Sequence, residues 1–364
     1  MQNGMQKMDV PGAAGLLSLI AEVTHRCPLH CVYCSNPLEL KRAEDELAAD
    51  DWRRVFQQAA ELGAVHLHLT GGEPLARKDL IEIVSAGREA ELYVNMITSG
   101  VGLSEERLGA LVDAGLEHLQ ISFQDSEEAS ANRIAGARAH GHKLALVPIV
   151  KKFPLALTIN IVVHRMNLDR LEECIAMAEE FAPDRLEIAH VQYYGWALKN
   201  RASLMPTEEQ VGRSLEVIDA AKRRLKGRVN VEAVAPDYYG RFPKACMGGW
   251  GRQTMLVDPT GHALPCHAAG VIPGMGFDSV REREVAWIWR ESEAFRRFRG
   301  EAWMPETCRS CSRKELDFGG CRCQAFLLTG DAAAMDPVCS YSPDHGMLAT
   351  LRSSAEELLP IWRS

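Results

Sequence analysis

Three cysteines, Cys27, Cys31 and Cys34, stand within the eight-residue run Cys27-Pro28-Leu29-His30-Cys31-Val32-Tyr33-Cys34. Three thiolates can hold a four-iron cube and leave one iron without a side chain, and an open metal position is where a cosubstrate can coordinate. A closed zinc site or an ordinary ferredoxin cluster needs a fourth ligand nearby, and His30 is the only local candidate. A second set comprises Cys246, Cys266, Cys308, Cys311, Cys321, Cys323 and Cys339. Fourteen residues separate Cys246 from Gly261 and four separate Gly261 from Cys266, while Cys308 and Cys311 form a C-x2-C pair. Zinc held by four thiolates has similar spacing, so this half leaves the metal open. The remaining cysteine, Cys174, lies in a helical pattern and reads as a small buried hydrophobe.

Elements with a strand-then-helix rhythm must position the first set. Short apolar runs at Leu16–Val23, Val65–Thr70, Leu92–Thr98, His118–Phe123, Leu157–Val163 and Leu186–Gln192 read as strands. Stretches such as Asp50–Leu62, Lys78–Ala90, Ser104–Ala114 and Asp169–Phe181 carry apolar residues at helical spacing, with Ser104 as a start and Gly63 and Gly115 as stops. Six such repeats predict an α/β fold, a partial (β/α)6 barrel with parallel strands, whose chemistry belongs at the carboxyl ends of the strands. The cysteine loop follows the first strand, and Gly71-Gly72-Glu73-Pro74 ends the second.

Beyond Gln192 the rhythm changes. Tyr193–Asn200 reads as an aromatic loop and Thr207–Lys226 as one amphipathic helix. A hairpin is expected around Asp258-Pro259-Thr260-Gly261 and a helix near Val280–Arg299. The resulting division is a mobile tail over 1–14, a core over 15–205, a connection over 206–245, a cysteine-rich domain over 246–345 and a helix or tail over 346–364.

Composition narrows the partners. The chain has 364 residues, 46% of them hydrophobic, enough for a large core. A formal net charge of -8 provides no basic field for a phosphate backbone, so nucleic acid is not expected. Gly15 to Val23 is interrupted by Ser18 and Glu22 and is too short to span a bilayer, so neither export nor a membrane is expected and the location reads as cytoplasmic. Cytosolic thiols stay reduced, which favours metal binding over disulfides for eleven cysteines.

The C-x3-C-x2-C loop, with Tyr33 before its last cysteine, resembles the signature of the radical S-adenosylmethionine superfamily. Gly71-Gly72-Glu73-Pro74 is similar to that family's GGEP turn, which implies that it meets the methionine ammonium of the cosubstrate, glycines allowing close approach and the carboxylate answering the charge. Polar residues at further strand ends, Ser99, Ser122, Asn160 and Gln192, then stand where such enzymes hold the rest of S-adenosylmethionine. The resemblance implies a [4Fe-4S] cluster on Cys27, Cys31 and Cys34 with one open iron, and a 5′-deoxyadenosyl radical that takes a hydrogen atom from the substrate.

The second cysteine set resembles the SPASM extension of peptide-modifying radical enzymes, with one departure: Asp317 stands where a thiolate is usual, and an additional Cys323 follows Cys321. Carried over, Cys308, Cys311, Cys339 and Asp317 would hold one auxiliary iron–sulfur cluster and Cys246, Cys266, Cys321 and Cys323 the other, as [4Fe-4S] or [2Fe-2S]. With Tyr193–Arg201 and Cys246-Met247-Gly248-Gly249-Trp250-Gly251, this arrangement resembles the PqqE family of pyrroloquinoline quinone biosynthesis. That implies a carbon–carbon bond between a glutamate and a tyrosine of the peptide PqqA, presented by the chaperone PqqD, with a donor such as flavodoxin. Trp196, Lys199 and Arg201 are candidates to contact the peptide. The rival readings are sulfatase maturation or thioether formation on the same architecture, and a zinc-stapled binding module.

Overall fold

The computed structural model describes residues 15–234, 236–353 and 358–363. The tail expected over 1–14 lies outside the described residues.

One nine-stranded sheet organises the chain, in the order β7-β6-β5-β4-β3-β2-β1-β8-β9. The first six strands are β1 Ser18–Thr24, β2 His66–Gly71, β3 Tyr93–Thr98, β4 His118–Phe123, β5 Ala156–Val163 and β6 Arg185–His190. They run parallel in chain order, as the strand–helix rhythm predicts. The sheet extends past them on both sides. Strand β7, Asn230–Val234, pairs parallel with β6, and β8, Thr254–Val257, pairs parallel with β1 before turning into β9, Ala263–Leu264. With β7 and β9 at opposite edges, the sheet is open.

The helices on its outer face follow their apolar spacing. In α1, Ala49–Glu61, the buried residues Ala49, Trp52, Val55, Phe56 and Ala59 form one stripe. α2, Leu80–Glu89, and α3, Glu105–Ala114, come next, the latter begun by Ser104, whose hydroxyl accepts from the Arg107 N–H at 3.1 Å, and ended at Gly115. Two helices of the β4–β5 crossover follow, α4 Glu128–Ala135 and α5 His140–Val150, then α6 Leu171–Glu180. Leu19, Ala21 and Val23 of β1, Leu67 and Leu69 of β2, and Trp52 and Phe56 of α1 have no exposed surface. Each such large apolar side chain contributes roughly 1.5–3 kcal/mol.

Tyr193–Asn200 departs from the loop expected there. Gly195–Lys199 is a helical turn, α7, and Arg201–Leu204 another, α8. The amphipathic helix is α9, Glu208–Leu225, closed by a reciprocal Thr207–Gln210 capping pair. The expected hairpin is β8–β9, its turn held by Asp258 Oδ1, which accepts from the Thr260 and His262 N–H groups. The helix expected near Val280–Arg299 is shorter and broken: α10 is Val285–Glu291 and α11 is Glu293–Arg296, because Ser292 between them is extended. Residues before Val285 serve the hairpin instead, the Val280 N–H donating to Gly261. Short turns α12, Glu306–Arg309, and α13, Lys314–Asp317, precede α14, Arg322–Thr329, and α15, Met347–Ser353. No helix of the described residues is long and apolar enough to cross a membrane.

Candidate active site and cysteine clusters

At the carboxyl end of β1 the backbone register slips between Glu22 and Thr24, and the chain leaves the sheet as the cysteine loop. The turn after β2 is stitched to it: Gly72 N–H donates to Thr24 O at 2.6 Å and Glu73 N–H to Arg26 O at 2.8 Å. This closeness requires the glycines. A Cβ at Gly71 would strike Thr24 O, and one at Gly72 would strike the carbonyls of His25 and Arg26.

A cleft of about 440 Å³ opens above the strand ends, bordered by Cys27, Cys31, Cys34, Tyr33, Gly71, Gly72, Ser99, Ser122 and Gln192. These sequence-predicted residues therefore share one site. Asn160 is buried in the adjacent register position, between Ser122 and Glu187. Glu73 and Pro74 are buried and do not border the cleft. The Glu73 carboxylate is hydrogen-bonded within the protein. It accepts from Thr98 Oγ1 at 2.6 Å, Ser99 Oγ at 2.5 Å, Ser99 N–H at 2.7 Å and Leu75 N–H at 3.1 Å. What the turn offers the cleft is glycine backbone, while Glu73 fixes Thr98 and Ser99, which do border it.

Three thiols of one loop at one cleft fit a cluster with an open iron. Burial pushes Cys27 up to about 11 and Cys31 up to about 12. Such thiols become thiolates only against a strongly positive centre. His30 does not border the cleft.

Sequence reasoning missed Lys143. From α5 its ammonium, with no exposed surface, donates to Ser122 O at 2.8 Å and Gln124 Oε1 at 2.6 Å, and the Gln124 amide donates to Tyr33 Oη at 3.0 Å. Burial lowers it to about 8, against the pull of Cys31, Glu73 and Cys27. The available signal was a lone lysine entering the apolar run Leu144–Val150. Glu187 of β6 also borders the cleft and was missed; burial raises its carboxyl.

The structure does not bring Trp196, Lys199 and Arg201 to the cleft. Their segment braces the cysteine loop from behind: Ala197 N–H donates to Cys34 O at 3.1 Å, and Asn200 Nδ2 donates to Val32 O at 2.8 Å. Lys199 Nζ lies 4.8 Å over the Trp196 ring.

All eleven cysteines are free thiols. Cys174 is buried with its sulfur 3.7 Å from Asp125 Oδ1. The second set forms two groups. Cys266 and Cys323 sulfurs are 3.6 Å apart, and hydrogen bonds from Cys246 and Cys323 hold Cys266 and Cys321 well below the usual thiol range. Cys246, Cys266 and Cys321 border a cavity of about 240 Å³ that shares Gln192, Val234 and His267 with the main cleft. The other group, Cys308, Cys311, Cys339 and Asp317, lines a small separate cavity. Asp317 is buried, its carboxylate accepting from Gly319 N–H at 3.1 Å and lying 3.5 Å from Arg313 Nε. Asp336 borders both cavities, so one buried carboxylate stands between the two groups. These donor sets, thiols with one carboxylate, suit iron–sulfur clusters.

Comparison with known proteins agrees with this layout. The Radical SAM superfamily profile matches residues 21–178, and the profile of the SPASM iron–sulfur cluster-binding domain matches 246–312. The fold is similar to that of Streptococcus suis SuiB bound to S-adenosylmethionine, with a TM-score of 0.74 and 18% identity, covering 89% of this chain and 77% of that one. It is also similar to native anSMEcpe with bound AdoMet and a peptide, with a TM-score of 0.64 and 15% identity over 93% of this chain and 96% of that one. In sequence, the chain is 54% identical to the PqqA peptide cyclase of Bradyrhizobium diazoefficiens, over 90% of this chain and 87% of that protein. It is 52% identical to the PqqA peptide cyclase of Gluconobacter oxydans, over 90% of this chain and 92% of that protein. At that identity and coverage, a chain with three thiols at the strand ends and two further cysteine groups beyond them belongs to the PqqA peptide cyclase family of radical S-adenosylmethionine enzymes.

Proposed function

We propose that this chain acts on the precursor peptide PqqA, joining a glutamate and a tyrosine side chain by a carbon–carbon bond at an early step of pyrroloquinoline quinone biosynthesis. The observation that carries this reading is the 54% identity to a PqqA peptide cyclase over 90% of the chain. The cleft supports it, since it is bounded by the cysteine loop on one side and by His267, beside Cys266, on the other. Cys27, Cys31 and Cys34 would hold the cluster, which with bound S-adenosylmethionine would supply the radical chemistry that removes a hydrogen atom from the peptide. The chain's own residues hold and shield the reactants. Gly71 and Gly72 present backbone, Tyr33, Ser99, Ser122, Asn160 and Gln192 surround the cosubstrate, and the buried strand ends exclude water. Cys246, Cys266, Cys321 and Cys323 hold one auxiliary cluster and Cys308, Cys311, Asp317 and Cys339 the other.

The small chaperone PqqD presents the peptide, and a donor such as flavodoxin supplies electrons. Trp196, Lys199 and Arg201, being off the cleft, would meet only parts of the peptide that run outside it. The test is mass spectrometry of PqqA incubated with reduced, cluster-loaded protein, S-adenosylmethionine and PqqD. Loss of a pair of hydrogen atoms, with fragments linking the glutamate to the tyrosine, is expected. An unmodified peptide under conditions that cleave S-adenosylmethionine would reject the substrate assignment.

A further inference from the structure

The segment Leu358–Arg363 lies across the back of the cysteine loop. Its seat is Asn200, 3% exposed, whose amide forms a two-way pair with Ile361: Nδ2 donates to Ile361 O and Oδ1 accepts from Ile361 N–H, each at 2.8 Å. The same Nδ2 donates to Val32 O in the loop. One residue on, the Trp362 indole N–H donates to Arg133 O of α4 at 2.8 Å. Helix α4 is itself tied to the loop through His30 N–H to Ala135 O and Val32 N–H to Ile134 O. Arg363 then reaches back, its Nη2 donating to Cys27 O at 3.2 Å and Leu29 O at 2.8 Å, and it borders the cleft. The backbone of the cysteine loop is thus held from three directions, by α4, by α7 with Asn200, and by this segment.

We infer that Leu358–Arg363 is a working strap of the active site and that Arg363 is a positioning residue for the amino-terminal cluster. It fixes two carbonyls of the loop that carries Cys27 and places a guanidinium beside that loop. Two effects follow. The bonds to Cys27 O and Leu29 O restrict the backbone from which the first thiol projects. The fixed positive charge favours the more negative, reduced state of a cluster nearby.

This inference rests on Cys27, Cys31 and Cys34 carrying a cluster, so the experiment separates the two. Wild-type protein, Arg363→Ala and Arg363→Lys are loaded anaerobically, assayed for iron and sulfide, and titrated while the electron paramagnetic resonance signal of the amino-terminal cluster is followed with and without S-adenosylmethionine. Arg363→Ala is expected to move that cluster to a more negative midpoint potential and to weaken the change that S-adenosylmethionine causes in its signal, with the other clusters unmoved. Arg363→Lys, which keeps the charge, should fall between it and wild type. Unchanged potential and unchanged response in Arg363→Ala would overturn the inference, as would equal shifts in every cluster or a lysine variant no better than alanine. Should Arg363→Ala not fold, Trp362→Phe provides the second arm: it removes the bond to Arg133 O and keeps the ring, and an unmoved signal there overturns the strap. Wild-type protein without an S-adenosylmethionine-responsive cluster would instead reject the reading of the three cysteines.

Discussion

The hydroxyl of Tyr194 lies 3.1 Å from the sulfur of Cys321. Burial and the neighbouring thiols Cys321 and Cys323 raise the phenol well above its ordinary range, so it keeps its proton and serves as the donor. Tyr194 also stacks edge-on against His267, which borders the main cleft. A hydrogen bond to a ligand sulfur stabilises the reduced cluster. Tyr194→Phe should therefore make the potential of the cluster on Cys246, Cys266, Cys321 and Cys323 more negative, by on the order of a few tens of millivolts. Spectroscopic titration of the variant checks this, and an unmoved potential would mean that the sulfur takes no bond from the phenol.

Glu73 offers a test that distinguishes ligand binding from support. Its carboxylate accepts four hydrogen bonds from Leu75, Thr98 and Ser99 within the protein. Glu73→Gln replaces one acceptor oxygen by a donor facing other donors, at a cost of about 1–3 kcal/mol. The protein without S-adenosylmethionine should then melt several degrees lower. Cosubstrate affinity should fall as well, because Ser99 is released. Loss of affinity with an unchanged melting temperature would return the carboxylate to the ligand.

How much of this was legible in residues depended on whether the signal was local. The six parallel strands and the cysteine loop follow from period and spacing, because a run such as Leu157–Val163 can only be buried one way. The flanking strand β7 was invisible, since five residues are too short for a period, and β8 was legible only as a hairpin arm, because its parallel pairing depends on the edge of β1. Long-range hydrogen bonds gave no local signal in two places. Nothing near Glu73 in the chain announces that Thr98 and Ser99, twenty-five and twenty-six residues on, converge on its carboxylate. Tyr193–Asn200 looks like an aromatic loop until the side-chain amide of Asn200 donates to Val32 O in the cysteine loop, 168 residues earlier. Lys143 carried a signal, a cation in an apolar helix, but its partners Ser122 and Gln124 come from the preceding strand and its end.

Acid should destabilise the fold through two buried histidines. His164 has no exposed surface and burial lowers it to about 3; His190 is 4% exposed and burial lowers it to about 4. Both values lie below the ordinary 6.5, so the folded protein keeps both rings neutral while the unfolded chain takes up protons. Their contribution is whole above about pH 6.5 and is lost as pH falls toward 4, at about 1.4 kcal/mol per pH unit for each ring. Urea midpoints measured at about pH 7 and about pH 5.5 should fall accordingly, and His164→Asn should flatten the dependence. A midpoint constant across that range would show that these rings gain a proton in the folded state as easily as in the unfolded one.

Arg322 is the cation that joins the cysteine-rich half, and its removal should be the most costly of these changes. The side chain is 1% exposed, follows Cys321 directly, and donates through Nη1 to Ala332 O at 3.0 Å and Ala334 O at 2.7 Å, and through Nη2 to Gly319 O. Its guanidinium lies 4.6 Å over the Trp303 ring. It is thereby bonded both to the turn after Asp317 and to the segment leading to Asp336, which stands between the two cysteine groups. A methionine there would fill the space and leave three carbonyls without their donor, each worth about 1 kcal/mol or more when buried. Lysine would keep a charge but cannot span three acceptors with a planar fork. Arg322→Met should lose about 3 kcal/mol or more of stability and bind less iron per chain. The deficit should fall on the clusters of residues 246–339, while the S-adenosylmethionine-responsive signal of the amino-terminal loop persists. Full iron content in Arg322→Met would mean that the cysteine geometry is set by the sulfurs and their metals alone, without the guanidinium that binds their scaffold.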